Sequence, residues 1–220
     1  MLAEGELLGD RRTQESYRSG EILGAGRVEF LGYVDSGMID EPTNDNPDCF
    51  WQADVEVAAE QLAVVLRDEA ADVLTIYDDH GGYGHPDHIQ VHRVGRRAAE
   101  LAGVGNVLQS TMNRDSIRRS MEAAAEGGYV DEDMEERRAQ IDSDGASFGS
   151  PEELITHAID VKAVLAIKRA SMAAHASQIT EESFFFAMPD DAFANAFGTE
   201  WYIDLHNTRP ESSSFQTSLL

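Results

Sequence analysis

The stretch that most constrains the fold is an apolar run, then a glycine-rich acidic loop, then a helix-forming pattern. The run Val73–Tyr77 is rich in β-branched residues, and the loop after it carries Gly81, Gly82 and Gly84. Pro86 suits a first helical position, because its missing N–H would have no partner there. A strand, a polar glycine loop and a helix N-terminus in succession predict an α/β protein with its chemistry at the carboxyl ends of strands.

Two histidines with an aspartate between them stand where that helix begins. His85, Asp87 and His88 are residue types that hold metal ions or move protons. As an alternative, His88 and His92 lie four residues apart and could share a solvated helix face. The glycines favour a site, because they permit a sharp turn or close approach to a ligand that a plain solvated loop does not require.

The segment Gly82-Tyr83-Gly84-His85-Pro86-Asp87-His88 resembles the second motif of the PIG-L/LmbE-like zinc deacetylases. That family includes N-acetylglucosaminyl-phosphatidylinositol de-N-acetylases, the mycothiol-pathway deacetylase and the mycothiol-conjugate amidase. Residues 4–6, 17–21, 31–38 and 174–179 also resemble family segments, in family order. The resemblance implies a hydrolase that removes an acetyl or acyl group from an N-acetylglucosamine-type sugar conjugate, with Zn2+ as cofactor.

The resemblance also implies roles for the motif residues. His88 matches a zinc ligand, and His85 matches the histidine that stabilises the tetrahedral intermediate or protonates the leaving amine. Tyr83 matches a tyrosine that polarises the scissile carbonyl, and Asp87 would fix the loop around His85. A helix cap for His85 and a plain loop aromatic for Tyr83 are the alternatives.

Further residues match family positions near the substrate. Arg18 and Asp35 match residues that bind the sugar or cyclitol, and Glu6 matches a residue close to the substrate. His175 is expected either to line the site or to be a core histidine. Conjugate amidases and sugar deacetylases share these motifs, so the sequence leaves the exact substrate open.

The family's first motif, H-P-D-D, does not occur in the 220 residues. That motif supplies two zinc ligands and the aspartate base, so the resemblance implies that roughly 30 to 45 family residues, a first βαβ unit, are missing. A late start codon, a truncated gene or a degenerate relative that binds sugar without hydrolysis would each explain this. We expect the chain as written to be impaired, and an in-frame H-P-D-D upstream of Met1 to restore activity.

Charge and cysteine content exclude several classes of protein. The formal net charge is −24, from 41 acidic and 17 basic residues, which opposes binding to nucleic acid or to anionic membranes. Cys49 is the single cysteine, so no intramolecular disulfide can form, and a small buried residue is predicted there. No apolar run of transmembrane length and no signal-peptide pattern occur, which predicts a cytoplasmic protein without stable membrane insertion. No feature predicts an oligomeric state.

The order of apolar patterns predicts a Rossmann-like, mostly parallel sheet flanked by helices, in one domain over residues 1–220. The predicted helices cover 13–23, 54–69, 86–102 and 163–177. The predicted strands cover 28–33, 73–77, 108–112, 155–161 and 201–205. The run 155–161 also fits a helix, and the resemblance favours the strand.

The remaining segments are predicted to be connections, packing residues or tails. Residues 1–12 and 40–49 have loop compositions, and the second loop is either a rim of the active site or a plain connector. Residues 113–150 read as a polar insertion with helical pieces and no chemistry. The phenylalanines at 184–186 are expected in the core or packed under the site, and residues 210–220 as a frayed polar tail.

Overall fold

The structure is a computed structural model that describes residues 7–126, 148–180 and 182–220. Within them, the α-helices are α1 (Leu8–Leu23), α2 (Val55–Asp68), α3 (Gly81–Gly84), α4 (Pro86–Ala102), α5 (Arg114–Glu126), α6 (Leu165–Ala173), α7 (Phe184–Ala187) and α8 (Asp190–Phe197). The strands are β1 (Val73–Tyr77), β2 (Asn106–Thr111), β3 (His157–Asp160) and β4 (Thr199–Asp204). None of the described helices is both long and apolar enough to cross a membrane.

The four strands form one sheet in the order β1-β2-β4-β3. Strands β1 and β2 are parallel, with Val73 opposite Asn106 and Tyr77 opposite Ser110. Strand β4 runs antiparallel to β2, so the sheet is mixed rather than parallel throughout. The α/β class predicted from the sequence is confirmed, and β1 lies at one end of the described strand order.

Helices α2 and α4 pack against each other and bury their apolar faces with β1 and β2. The Asp54 side chain caps α2 by accepting hydrogen bonds from the N–H groups of Glu56 and Val57, and α4 ends at Gly103 in the left-handed conformation (φ 77°). Both helices therefore begin and end close to where the sequence predicts. The shared core consists of Ala58, Ala59, Ala63, Leu66, Ile76, Val94, Ala98, Ala99, Val104 and Val107.

The sequence prediction is wrong at two places near the N-terminus. Helix α1 begins at Leu8 and not at residue 13; Asp10 in its first turn is favourable there, because acidic groups stabilise a helix N-terminus. Residues 28–33 form no strand, because Gly32 adopts φ 88° and turns the chain out of the extended conformation. Val34 instead forms an isolated bridge with Cys49, which is fully buried as predicted.

The polar segment after β2 agrees with the prediction where it is described. Helix α5 is one of the expected helical pieces, and residues 127–147 lie outside the described residues. Strand β3 and helix α6 are both shorter than predicted, because a short 3-10 helix, Lys162–Val164, lies between them.

The predictions for the C-terminal region need correction. Phe184 is 52% exposed, and Phe185 and Phe186 are half-buried. The three phenylalanines therefore do not form a buried core. Residues 210–220 are not simply frayed. Gln216 exchanges backbone hydrogen bonds with Thr156 and Ala158, and the Leu219 carbonyl accepts a bond from the Asn106 side chain.

Two compact units share the chain. Of the described residues, those up to 30 together with those from 160 to 199 form a helical unit, and those from 31 to 159 together with those from 200 to 220 form a sheet unit. In the helical unit, α1 packs on α6, and the hydroxyls of Ser19 and Ser171 form a buried hydrogen bond of 2.7 Å. The assignment of one domain to residues 1–220 stays a prediction.

The packing of α4 on β1 yields a stability prediction for Gly95→Ala. A Cβ at Gly95 would overlap the Ile76 side chain, so we expect a loss of about 1–3 kcal/mol from overpacking. Urea unfolding followed by circular dichroism measures it. Gly105→Ala is the matched control, because no atom lies within 4 Å of its Cβ position. Equal unfolding midpoints for the two variants would contradict the packing argument.

Candidate active site

The turn after β1 is organised by the buried carboxylate of Asp78, which is 1% exposed. One of its oxygens accepts the Gly82 N–H at 2.6 Å, and the other accepts the Thr111 hydroxyl of β2 at 2.6 Å. These bonds satisfy a carboxylate that would be costly to bury unpaired. They also fix the turn to the carboxyl end of β2, so α4 begins at the end of two parallel strands.

Gly81 is required where the turn passes the start of α4. It adopts φ 68°, and a Cβ there would lie 2.7 Å from the Cβ of His88 and 2.9 Å from the backbone nitrogen of Ile89. The carbonyl of Gly81 also lies 3.1 Å from Nδ1 of His88, so that nitrogen donates the hydrogen bond. The glycine-rich loop therefore fixes one histidine ring directly.

The His88 ring is held from several sides. It stacks on Tyr77 at 3.9 Å between ring centroids with an interplanar angle of 5°. Burial lowers the pKa of His88 below its ordinary value, against the hydrogen bond to Gly81 that raises it, so the ring is neutral at pH 7. With Nδ1–H on a carbonyl, Nε2 carries the free lone pair, which is the arrangement of histidines that bind metals.

His85 is the N-cap of α4. Its Nδ1 accepts a hydrogen bond of 3.1 Å from the backbone N–H of Asp87. An accepting Nδ1 carries no proton, so the neutral ring bears its proton on Nε2. His85 therefore caps α4, which was the alternative to a chemical role in the sequence analysis. The cap leaves the Nε2–H group of His85 available as a donor.

Loop 34–52 adds an aspartate to this pair. Ser36 donates to both carboxylate oxygens of Asp87, through its N–H at 3.1 Å and through its hydroxyl. Side-chain ligand atoms of Asp35, His85 and Asp87 consequently lie within 4.8 Å of one another. Thr43 and Asn44, from the predicted loop 40–49, donate to the Ser36 carbonyl.

Tyr83 lies beside the two histidines and is 49% exposed. Its ring centroid is 5.1 Å from that of His88 and 6.3 Å from that of His85. Burial and the negative charge of Asp35 raise the pKa of Tyr83, so the phenol keeps its proton at neutral pH and can donate a hydrogen bond.

The fit of a zinc ion depends on how many ligands converge. Zinc takes three or four protein ligands in tetrahedral geometry. Within the described ranges, one group of three or more histidine, cysteine, aspartate or glutamate side chains is close enough to hold a metal, and it is Asp35, His85 and Asp87. His88 is prepared as a ligand but has no such partners among the described residues. Those residues alone do not form a zinc site at His88.

The other predicted site residues belong to the helical unit or are not described. Arg18, on α1, pairs with Glu21 at 2.5 Å. His175 follows α6, and its Nδ1 is buried without a hydrogen-bond partner in the described part of the chain. Glu6 lies outside the described residues. The cluster described above consists of sheet-unit residues.

Sequence reasoning missed the roles of three residues that shape the cluster. Tyr77 is the last residue of β1, and an aromatic just before a glycine loop could have indicated a stacking partner for His88. Asp78 follows it and could have been recognised as a polar group at a strand end. Nothing local marks Ser36, because its partner Asp87 is 51 residues away.

The fold and the cluster define an α/β protein with hydrogen-bond donors, carboxylates and a histidine with an Nε2 lone pair at the carboxyl end of a parallel strand. The profile of the PIG-L family, described as GlcNAc-PI de-N-acetylase, matches residues 2–99. The chain is 38% identical over 211 residues to a 1D-myo-inositol 2-acetamido-2-deoxy-alpha-D-glucopyranoside deacetylase of Acidothermus cellulolyticus, covering 93% of this chain and 71% of the relative.

Two further relatives carry the same enzyme name. The Geodermatophilus obscurus protein is 36% identical over 232 residues, covering 97% of this chain and 77% of the relative. The Thermobifida fusca protein is 36% identical over 218 residues, covering 92% and 74% respectively. The chain belongs to the PIG-L family.

A buried histidine further along α4, His92, yields a pH prediction. His92 donates from Nδ1 to the Tyr77 carbonyl at 3.1 Å, and burial lowers its pKa below the ordinary 6.5. The unfolded chain therefore binds a proton first as the pH falls, so the stability that neutral His92 contributes is present above pH 6.5 and is lost below it. We expect His92→Gln, which keeps a donor, to flatten the fall in stability below pH 6.5.

Urea midpoints measured from pH 8 downward test this expectation. His206→Gln is the control, because His206 is an exposed histidine of the same unit. A fall in stability that is just as steep in His92→Gln as in the unchanged protein would contradict the assignment.

Proposed function

We propose that this protein is an amide hydrolase that removes the acetyl group from an N-acetylglucosamine-type sugar conjugate. The relatives named as deacetylases of an inositol-linked acetamido sugar support the reaction class. The observation that carries the proposal is the convergence of Tyr83, His85 and His88 with the Asp35 and Asp87 carboxylates at one turn. Hydrolysis cleaves the amide C–N bond and releases a carboxylate and a sugar amine.

The protonation states of two side chains suit them to this reaction. The Tyr83 phenol, with its raised pKa, donates a hydrogen bond to the acetamide oxygen as negative charge develops on it. His85 presents Nε2–H to the leaving nitrogen, because the Asp87 backbone occupies Nδ1. Asp35, on the neighbouring loop, accepts hydrogen bonds from sugar hydroxyls, and Arg18, Glu6 and His175 are proposed as further substrate contacts.

Zinc is the proposed cofactor, with His88 as a ligand through Nε2. A bound zinc ion would supply a water molecule with a pKa near neutrality. The described residues supply one ligand at this place, so two further protein ligands would come from outside them. We also propose that residues 1–220 by themselves are impaired in zinc binding and in hydrolysis, because the H-P-D-D motif that supplies two zinc ligands in the family does not occur in them.

A second candidate function is sugar binding without hydrolysis. The single described ligand at His88 favours it, because a carboxylate and donor cluster recognises hydroxyl groups without any metal. The two functions differ in their products. Binding without release of an amine supports the second function, and release of the amine supports the first.

The zinc proposal predicts that residues 1–220 retain less than one zinc per chain after dialysis and release no amine. The reason is that tetrahedral zinc needs three protein ligands, whereas the H-P-D-D motif that supplies two of them in the family does not occur in these residues. Metal analysis by mass spectrometry measures zinc, and amine release from 1D-myo-inositol 2-acetamido-2-deoxy-alpha-D-glucopyranoside measures hydrolysis. His88→Ala should lower the residual zinc further, whereas His206→Ala should not. Stoichiometric zinc together with amine release from the 220 residues would contradict the impairment.

The catalytic roles predict the effects of two substitutions in any preparation that hydrolyses the substrate. His85→Ala should lower kcat by about 10²- to 10⁴-fold, because a proton donor to the leaving nitrogen is lost. Tyr83→Phe should lower kcat roughly ten- to thousandfold, because one donor to the oxyanion is lost. Zinc content should stay unchanged in both, which separates their roles from metal binding.

Tyr33→Phe is the matched control for Tyr83→Phe, because the ring of Tyr33 packs against Phe50 in the same unit. If His85→Ala kept full turnover, the role of His85 would be reduced to capping α4.

A further inference from the structure

We propose that Ser36 is a positioning residue for His85: through Asp87, it holds the first turn of α4 so that the His85 ring keeps one orientation and one neutral tautomer. This inference deepens the proposed function, because the tautomer decides which nitrogen of His85 can donate to the leaving group. It assigns to a serine of the neighbouring loop a task that no motif indicates.

Every polar group of Ser36 is engaged, and the residue is 0% exposed. Its hydroxyl accepts the Trp51 N–H at 2.9 Å, and because that N–H can only donate, the hydroxyl proton is free for Asp87. Its own N–H donates to the second Asp87 oxygen at 3.1 Å. Its carbonyl accepts bonds from Thr43 and Asn44, at 2.8 and 2.6 Å.

Asp87 links these bonds to His85. Its carboxylate accepts hydrogen bonds from Ser36. Its backbone N–H donates the capping hydrogen bond to Nδ1 of His85, at 3.1 Å. A carboxylate fixed by two donors limits the rotation of the Asp87 backbone, so the N–H keeps pointing at Nδ1. While that N–H points there, Nδ1 cannot carry a proton, and the neutral ring bears its proton on Nε2.

The same clamp brings the Asp35 carboxylate to the histidine. Asp35 precedes Ser36 in the chain, and its own carboxylate accepts the Gly37 N–H at 2.8 Å. Fixing Ser36 to Asp87 therefore brings the ligand atoms of Asp35, His85 and Asp87 within 4.8 Å of one another. Without its hydroxyl, residue 36 would keep one hydrogen bond to Asp87, from its backbone N–H.

The test uses the whole chain labelled with 15N, without substrate or metal, so the result does not depend on hydrolysis. Nitrogen chemical shifts of the His85 ring are recorded at increasing pH until they stop changing. We expect a proton-free Nδ1 and a protonated Nε2 in the unchanged protein. In Ser36→Ala the chemical shifts of both nitrogens should change toward the average of the two tautomers.

A second readout is hydrogen exchange at the Asp87 amide, which should accelerate by about tenfold in Ser36→Ala as the cap loosens. Ser19→Ala is the matched control. Ser19 is also a buried serine with a hydroxyl hydrogen bond, to Ser171 in the helical unit. Its removal should lower stability without moving the His85 nitrogens or the Asp87 exchange rate.

Asp87→Asn tests the same link if Ser36→Ala fails to fold, because the amide group leaves Ser36 one acceptor oxygen instead of two. The same movement of the His85 nitrogens is then expected. Unchanged His85 nitrogens and an unchanged Asp87 exchange rate in a folded variant would overturn the proposal. A proton on Nδ1 of the unchanged protein would overturn it as well.

The outcome stays separable from the proposed function. Loss of the His85 tautomer in Ser36→Ala, in a protein that never releases the sugar amine, supports the positioning role and counts against hydrolysis. If the protein is active and Ser36→Ala leaves the His85 nitrogen chemical shifts unchanged, the result supports hydrolysis and contradicts the positioning role of Ser36.

Discussion

The carboxylate of Asp78 is the interaction on which the rest of the site depends. Buried at the end of β1, it accepts the Gly82 N–H from its own turn and the Thr111 hydroxyl from β2. An unpaired carboxylate in that position would be strongly destabilising, so the turn and the neighbouring strand are fixed together. The glycine conformations, the path of the chain past Gly81 and the starting point of α4 follow from this arrangement. Both histidines of the site lie at the start of α4, His85 as its N-cap and His88 in its first turn.

The two histidines are three residues apart in the chain and have opposite tautomers. His85 accepts at Nδ1 and presents a proton on Nε2, whereas His88 donates from Nδ1 to Gly81 and presents a lone pair on Nε2. One ring is therefore a hydrogen-bond donor toward a ligand, and the other is a ligand for a metal or an acceptor. Their ring centroids are 4.8 Å apart, so a donor and a lone pair are available at a single place. Amide hydrolysis requires both kinds of group, which is why this pair supports the proposed reaction.

The local patterns of the sequence were sufficient for the elements under the site. The β-branched run before the loop, Pro86 at its end and Gly103 after the helix placed β1 and α4 within the observed bounds. Predictions failed where one residue overrode a pattern. Gly32, at φ 88°, interrupts a run of strand-forming residues, and such a backbone angle depends on where the chain must turn. The tail at 210–220 looked frayed because Gln216 has no local sign of its pairing with Thr156.

The sequence by itself determined the kind of chemistry: the Tyr83, His85 and His88 side chains at a helix N-terminus, and the family to which they belong. The tertiary structure decided how those side chains are held, because their partners come from distant parts of the chain. Ser36 reaches Asp87 across 51 residues, and Asp78 and Thr111 meet across 33. Hydrogen bonds between such distant residues depend on how strands and loops are brought together, and periodicity along the chain carries no information about that pairing.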